Sequence, residues 1–288
     1  MLSGDLLTVH RGERPVLNAV DIDIMPGRVT AVVGPNGAGK STLINALTGR
    51  LPLVGGGVEI DGRAIGDFSR LEIARRVSVL QQQFQTTFAF RAFEVVAMGR
   101  APHERLEKRM TAARIVEAAM SAAGVDHLAD RAANQLSGGE RQRVFLARAL
   151  AQIMPLEESS PRYLLLDEPT ASLDLSHQRS TLAFARAAAA SGIGVLCVLH
   201  DLNLASRFAD QAIILADGAT AAAGKPADIF DAPTISSVYG DDLSVFPDPE
   251  TGCPVILPRG LGMDTASMPA DASLAALARQ AAQIGATP

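Results

Sequence analysis

Short apolar runs alternate with segments of helical period along most of the chain. VTAVV (29–33), VSVL (77–80), YLLLD (163–167), VLCVL (195–199) and AIIL (212–215) read as strands. Their alternation with helical patterns predicts an α/β fold with a mainly parallel sheet flanked by helices. From about Phe84 to Leu136 the pattern turns helical: EKRMTAARIVEAAMSAAG sets Ala113, Val116 and Met120 on one face and Gly124 at a natural stop. This interval reads as an inserted helical lobe. After Arg259 small residues dominate, with one short helical stripe of Leu274, Leu277, Ala281 and Ile284 in what otherwise reads as a frayed tail.

Composition narrows the class. With 288 residues, 48% of them apolar and 20% charged, the chain is long enough for one large domain, or a domain plus a lobe, around a sizeable core. It holds no run of about 18 apolar residues to span a bilayer, and MLSGDLLTVHRGER lacks the layout of a secretory signal. The expected location is therefore cytosolic. Cys197 sits in an apolar run and Cys253 in a Pro/Gly-rich segment, so both are expected to be plain thiols. A net charge of −5 argues against a large grip on nucleic acid, and none is expected as a partner.

GPNGAGKST carries the strongest local chemistry. It comprises Gly34, Pro35, Asn36, Gly37, Ala38, Gly39, Lys40, Ser41 and Thr42, directly after an apolar strand and before the helical LINALTG. This is a phosphate loop in its required context. The glycines let successive amide N–H groups point at phosphate oxygens, and the helix adds its positive end. Lys40 then reaches the β and γ phosphates of ATP, Ser41 offers a hydroxyl to Mg²⁺, and Thr42 adds a phosphate contact.

YLLLDEPT supplies the other half. A strand ending in Asp167 delivers a carboxylate to the C-terminal edge of the sheet, where α/β proteins bind ligands. Asp167 is the candidate for holding Mg²⁺, and Glu168 is placed to polarise a water attacking the γ phosphate. LSGGERQR, Leu136 to Arg143, opens a helix with a serine cap and two glycines. Alone that is an ordinary helix start, although it also suits an anion.

Taken in order, these motifs resemble the nucleotide-binding subunit of ABC transporters over nearly all of residues 1–260. The resemblance implies a P-loop NTPase cassette with a RecA-like core, an N-terminal antiparallel β subdomain and an inserted helical subdomain. The core would comprise 1–83 and 137–240, the helical subdomain 84–136, and 241–260 the C-terminal segment; 261–288 would be a tail. It also implies that Ser137, Gly138 and Gly139 close on ATP held by a second copy. Gln82, flanked by Gln81 and Gln83, matches the glutamine that senses Mg²⁺ and the γ phosphate. Asp174 in SLD matches the loop crossing the interface, and His200 the switch histidine on the γ phosphate. Where the family places an aromatic residue to stack on adenine, this chain has Arg11, with His10 beside it; a guanidinium plane can also stack on a base.

Phe88 to His103, FAFRAFEVVAMGRAPH, resembles the segment of ATPases serving importers of haem, ferric siderophores and vitamin B12, with Arg91 and Phe93 departing from the pattern. The long connector before YLLLDEPT, together with HDLNLASRFAD and FPDPETGCPVILPR, is most similar to bacterial haem importer ATPases. The implied assembly is a homodimer bound to two membrane permease subunits through the helical subdomain, at the cytoplasmic face of the inner membrane. A periplasmic substrate-binding protein would act indirectly. Siderophore or B12 import is the alternative cargo, and a soluble ABC protein acting on ribosomes or DNA the alternative class. One cassette, no sustained heptads and an acidic balance speak against the latter.

The connector QIMPLEESSPR should sit at the N-terminal edge of the sheet, because the next strand must run forward to deliver Asp167 at the other edge. Pro155 and Pro161 interrupt pairing, and Glu157, Glu158, Ser159 and Ser160 favour water. Replacing Leu156 to Ser160 with a two-residue turn is expected to leave basal ATPase activity within about twofold, as surface changes usually do. A phosphate-release assay on a variant shown by circular dichroism to be folded checks it.

Overall fold

The chain opens with β1 (Leu2–Arg11) and β2 (Arg14–Ile24), an antiparallel pair. The structure, a computed structural model, describes residues 1–81, 89–154, 160–171, 173–240 and 243–258. Expectations for Gln82, Gln83, Ser172, residues 155–159 of the connector and the 261–288 tail lie outside the described residues.

β3 (Val29–Val33) runs into the glycine loop and α1 (Lys40–Leu47). β4 (Gly55–Ile60) and β5 (Arg63–Ala64) return to β1, giving a four-stranded antiparallel sheet in the order β2-β1-β4-β5. α2 (Arg70–Arg76) starts on a reciprocal Ser69–Glu72 cap and leads to β6 (Val77–Leu80). α3 (Ala92–Ala97), a 3₁₀ segment (Met98–His103) and α4 (Arg109–Ala122) follow. α5 (Gly138–Ile153) then returns to β7 (Tyr163–Asp167). α6 (Leu175–Ala190), β8 (Gly194–Val198), α7 (Leu202–Phe208), β9 (Gln211–Ala216) and β10 (Ala219–Gly224) come next. The second sheet has six strands, β10-β9-β3-β8-β7-β6, all parallel except β10. α8 (Pro226–Ile229), α9 (Ala232–Tyr239) and the hairpin of β11 (Leu243–Pro247) and β12 (Pro254–Pro258) end the described chain.

The five apolar runs are strands, with ends shifted by at most one residue. They are apolar throughout because the sheet is covered on both faces. Ala31, Leu164, Leu166, Cys197 and Ile214 pack in one core with α5 and α6. Val32, Leu165, Leu196, Val198 and Leu215 pack in the other, with α1 and the antiparallel sheet. Each fully buried Leu, Ile or Val side chain contributes roughly 1.5–3 kcal/mol to holding these layers together.

Within the helical region Val116 and Met120 are buried, as their spacing predicts, with Ala119 beside them; Ala113 is only half-buried. Gly124 ends α4 at φ 63°, where its N–H donates to Ser121 O and that of Val125 to Met120 O. Buried Val125 sits one residue beyond the glycine, completing a left-handed cap. α5 packs on α3 and α4 on one side and on β6 and β7 on the other.

A buried polar joint fastens this region to the sheet. Arg100 and Glu107 pair at 2.7 Å with side chains 4% and 2% exposed, and Arg100 also donates to the carbonyls of Ala151 and Met154. Gln152 donates to Ala74 O and Val77 O and accepts from Ser78 Oγ, while its own carbonyl lies 2.8 Å from His103 Nε2. Burial holds the His103 imidazole below its ordinary pKa, favouring the neutral ring, against the opposing bond to the Gln152 carbonyl. Removing one partner of a buried pair strands the other charge, so Glu107→Ala is expected to destabilise the chain by about 3–5 kcal/mol. Glu94→Ala, which removes an exposed ion pair with Arg91 and the bond from the Arg91 backbone N–H, should cost far less; urea unfolding of both variants measures the difference.

Candidate functional site

β3, β8 and β7 are neighbours, so the residues after their C-terminal ends are brought to one edge of the sheet: Gly34, His200 and Glu168. β3 is also where the chain changes sides, with β8 on one flank and β9 on the other, and open α/β sheets form their ligand crevice at such a point.

The glycine loop is wedged against its surroundings. A Cβ on Gly34 would stand 2.2 Å from the Leu215 carbonyl oxygen, so no side chain fits there. Gly39, which precedes α1 at φ 99°, would place a Cβ 2.7 Å from the Leu17 side chain. The loop lines an open cleft of about 690 Å³ with Arg11, Arg14, Glu168, Asp217 and Gly218. Asn36, Gly37, Ser41 and Thr42 contribute to its wall; Pro35 and Ala38 sit behind, joined by an Ala38 N–H to Pro35 O bond.

Lys40 is buried, and its ammonium donates to the carbonyls of Gly34 at 2.7 Å and Pro35 at 2.9 Å. Two of its three N–H groups are thus used within the loop. Burial lowers its pKa, opposed by the charges of Glu168 and Asp167. Ser41 Oγ donates to Asp167 Oδ1 at 3.2 Å. Burial raises the Asp167 pKa; the Ser41 hydrogen bond opposes that rise, and the Glu168 charge adds to it. Glu168 adopts φ 51°, a left-handed conformation costing a residue with a Cβ about 1–2 kcal/mol. Its Oε1 lies 2.6 Å from His200 Nε2.

Beside the glycine loop, Arg11 and not His10 lines the cleft. Arg14, which faces Arg11 across the hairpin turn, joins it, as do Asp217 and Gly218, none of which belongs to a sequence motif. The Arg14 signal was present in the RGER turn, whereas Asp217 and Gly218 enter only because β9 adjoins β3.

Ser137 caps α5: its Oγ accepts from Glu140 N, and its own N–H donates to Glu140 Oε2 at 2.8 Å. Ser137, Gly138 and Gly139 are not among the residues lining the loop cleft. Gly138 instead shares a smaller cleft, about 180 Å³, with Gln81, Gln142, Asp167 and Glu168. Gln142 Nε2 donates to Pro169 O, tying α5 to the segment after Glu168. Asp174 caps α6, accepting from His177 N at 2.9 Å and Ser176 Oγ at 2.8 Å. Its carboxyl is held at about 2, chiefly by the His177 backbone bond.

A phosphate loop, two adjacent carboxylates and an imidazole on one of them thus meet at one sheet edge. A family model described as ABC transporter matches residues 17–171. The chain is 48% identical over 260 residues to the hemin import ATP-binding protein HmuV of Gloeobacter violaceus, covering 90% of this chain and 94% of that protein. It is 45% identical over 259 residues to the protein of the same name from Pseudomonas entomophila, covering 90% and 100%. Among solved structures, it matches the dimeric structure of a bacterial ABC transporter cassette with TM-score 0.67 and 28% identity, over 78% of this chain and 98% of that one. A post-hydrolysis dimer of an ATP-binding cassette bound to ADP and Pi matches with TM-score 0.66, at the same identity and coverage.

A carboxyl whose folded pKa is raised contributes stability below its unfolded pKa and loses it as pH rises through the folded value. Asp167→Asn is therefore expected to raise the Tm of the Mg²⁺-free and nucleotide-free protein at pH 7. The gain should shrink as pH falls towards the ordinary aspartate value of about 3.9. Thermal melts from pH 7 downward measure it.

Proposed function

This chain belongs to the ABC transporter ATPases, and from that premise we propose that it hydrolyses ATP to drive hemin import through a membrane permease. The contact that best supports the chemistry is Glu168 Oε1 to His200 Nε2 at 2.6 Å, beside the Ser41–Asp167 pair. The cargo follows the printed function of relatives 45–48% identical to this chain over nine-tenths of its length. The working division is a core of 1–83 and 137–240 with a helical subdomain of 84–136, on which two permease subunits would dock at the cytoplasmic face of the inner membrane. Among the described residues no helix is long and apolar enough to cross that membrane itself.

The loop amides and Lys40 bind the β and γ phosphates, with Thr42 beside them, while Arg11 stacks on adenine. Ser41 and Asp167 are hard oxygen donors 3.2 Å apart, which fits a Mg²⁺ ion, with Gln82 as the expected further ligand. Mg²⁺ held there neutralises charge on the transferring phosphoryl group. Glu168 orients the attacking water and accepts its proton, and His200 fixes the Glu168 carboxylate and touches the γ phosphate. Ser137, Gly138 and Gly139 of a second copy complete each site, with Asp174 at the crossing. ATP thus favours the closed homodimer by binding it better than the open one, and hydrolysis reverses that preference.

Glu168→Gln is expected to bind ATP, hydrolyse it about 10² to 10⁴ times more slowly and accumulate as a dimer in Mg-ATP on size exclusion. Near-normal turnover would remove Glu168 from this role. With its co-purified permease in proteoliposomes, the unaltered chain should drive ATP-dependent uptake of hemin; uptake of a ferric siderophore or B12 in its place would overturn the cargo.

A further inference from the structure

Gly139 meets a side chain outside the motif set. A Cβ at position 139 would stand 2.3 Å from His177 Cδ2 and 2.6 Å from its Nε2, so the imidazole fills the space a side chain would take. The other edge of the ring is fixed, with Nδ1 2.8 Å from Asp174 Oδ1. That same oxygen accepts from the His177 backbone and from Ser176 Oγ, so Asp174 and His177 hold one mutual geometry. One imidazole therefore bridges, within a single chain, the two segments assigned above to the dimer interface.

We propose that His177 is a positioning residue: its ring, braced by Asp174, sets the backbone of Gly138 and Gly139 against the loop ending at Asp174. One copy then presents both segments to the other copy's ATP as a unit. The inference rests on the ATP-closed dimer of the preceding section. Its physical basis is that N–H donors at a helix start act on an anion only when correctly aimed, and misplacement by about 1 Å can cost 10²-fold in rate. The motif glycines have no side chain of their own to fix that aim; the imidazole does it from beneath.

The test uses the full chain carrying Glu168→Gln, with dimer formation followed by size exclusion across a Mg-ATP series. A fluorescent ATP analogue at low protein concentration reads the affinity of the monomer. Adding His177→Ala should raise the ATP needed for half-maximal dimer about tenfold, the scale of one hydrogen bond to a charged group. Monomer affinity should stay within twofold. His177→Asn, whose amide N–H can still meet Asp174, should recover most of the loss. Unchanged dimerisation in His177→Ala would overturn the inference, as would a parallel loss of monomer affinity or failure of His177→Asn to recover any of it. If the chain with His177 intact formed no dimer at any ATP concentration, the dimer reading itself would fail, and this inference with it.

Discussion

The site depends on the fit of the loop after β3 against β9. At Gly34 the backbone passes so close to the Leu215 carbonyl that a Cβ would overlap it, and at Gly39 the loop presses on Leu17 of β2. This places α1 between the two sheets, with Leu43, Ile44 and Leu47 in the core that those sheets share. Any side chain at Gly34 would have to push β9 outward and shift Lys40 and Ser41 with it. The loop is thus preorganised by packing, before any phosphate is considered.

The charges gathered on that frame are held under tension. Burial pushes Lys40 towards its neutral form and Asp167 towards its own, while their mutual attraction and the Ser41 hydrogen bond oppose that drift. Hard anionic oxygens near Lys40 and a cation near Asp167 would relieve both at once. A buried ammonium and a half-buried carboxyl, each drawn towards its neutral form, are groups that a metal-bound polyphosphate would compensate.

The same economy governs the joint between the helical region and the sheet. Gln152, near the C-terminal end of α5, satisfies groups on α2, β6 and the 3₁₀ segment, and Arg100 with Glu107 locks the neighbouring turn. The other end of α5 carries Ser137 to Gly139. A single helix therefore joins the region expected to meet a permease to the residues expected to meet ATP, and its buried hydrogen bonds make it a stiff connection.

The sequence by itself determined the parallel strands and the phosphate loop that follows β3, because those signals are local. A strand covered on both faces must be apolar throughout, and a phosphate loop needs its glycines, Lys40 and Ser41 consecutively. The N-terminal antiparallel sheet was less legible in its pattern. Register shifts in β1 and β2, with Leu6 at φ 46° and Ala19 at φ 50°, break the alternation that marks a half-buried strand, so it was expected from resemblance instead. Only the tertiary structure decided that Arg14 and Asp217 share the loop cleft with Arg11, that Arg100 and Glu107 bury their side chains together against α5, and that His177 fills the space beside Gly139. Each depends on which strands and helices become neighbours and on how closely they approach, and no local spacing along the chain encodes that.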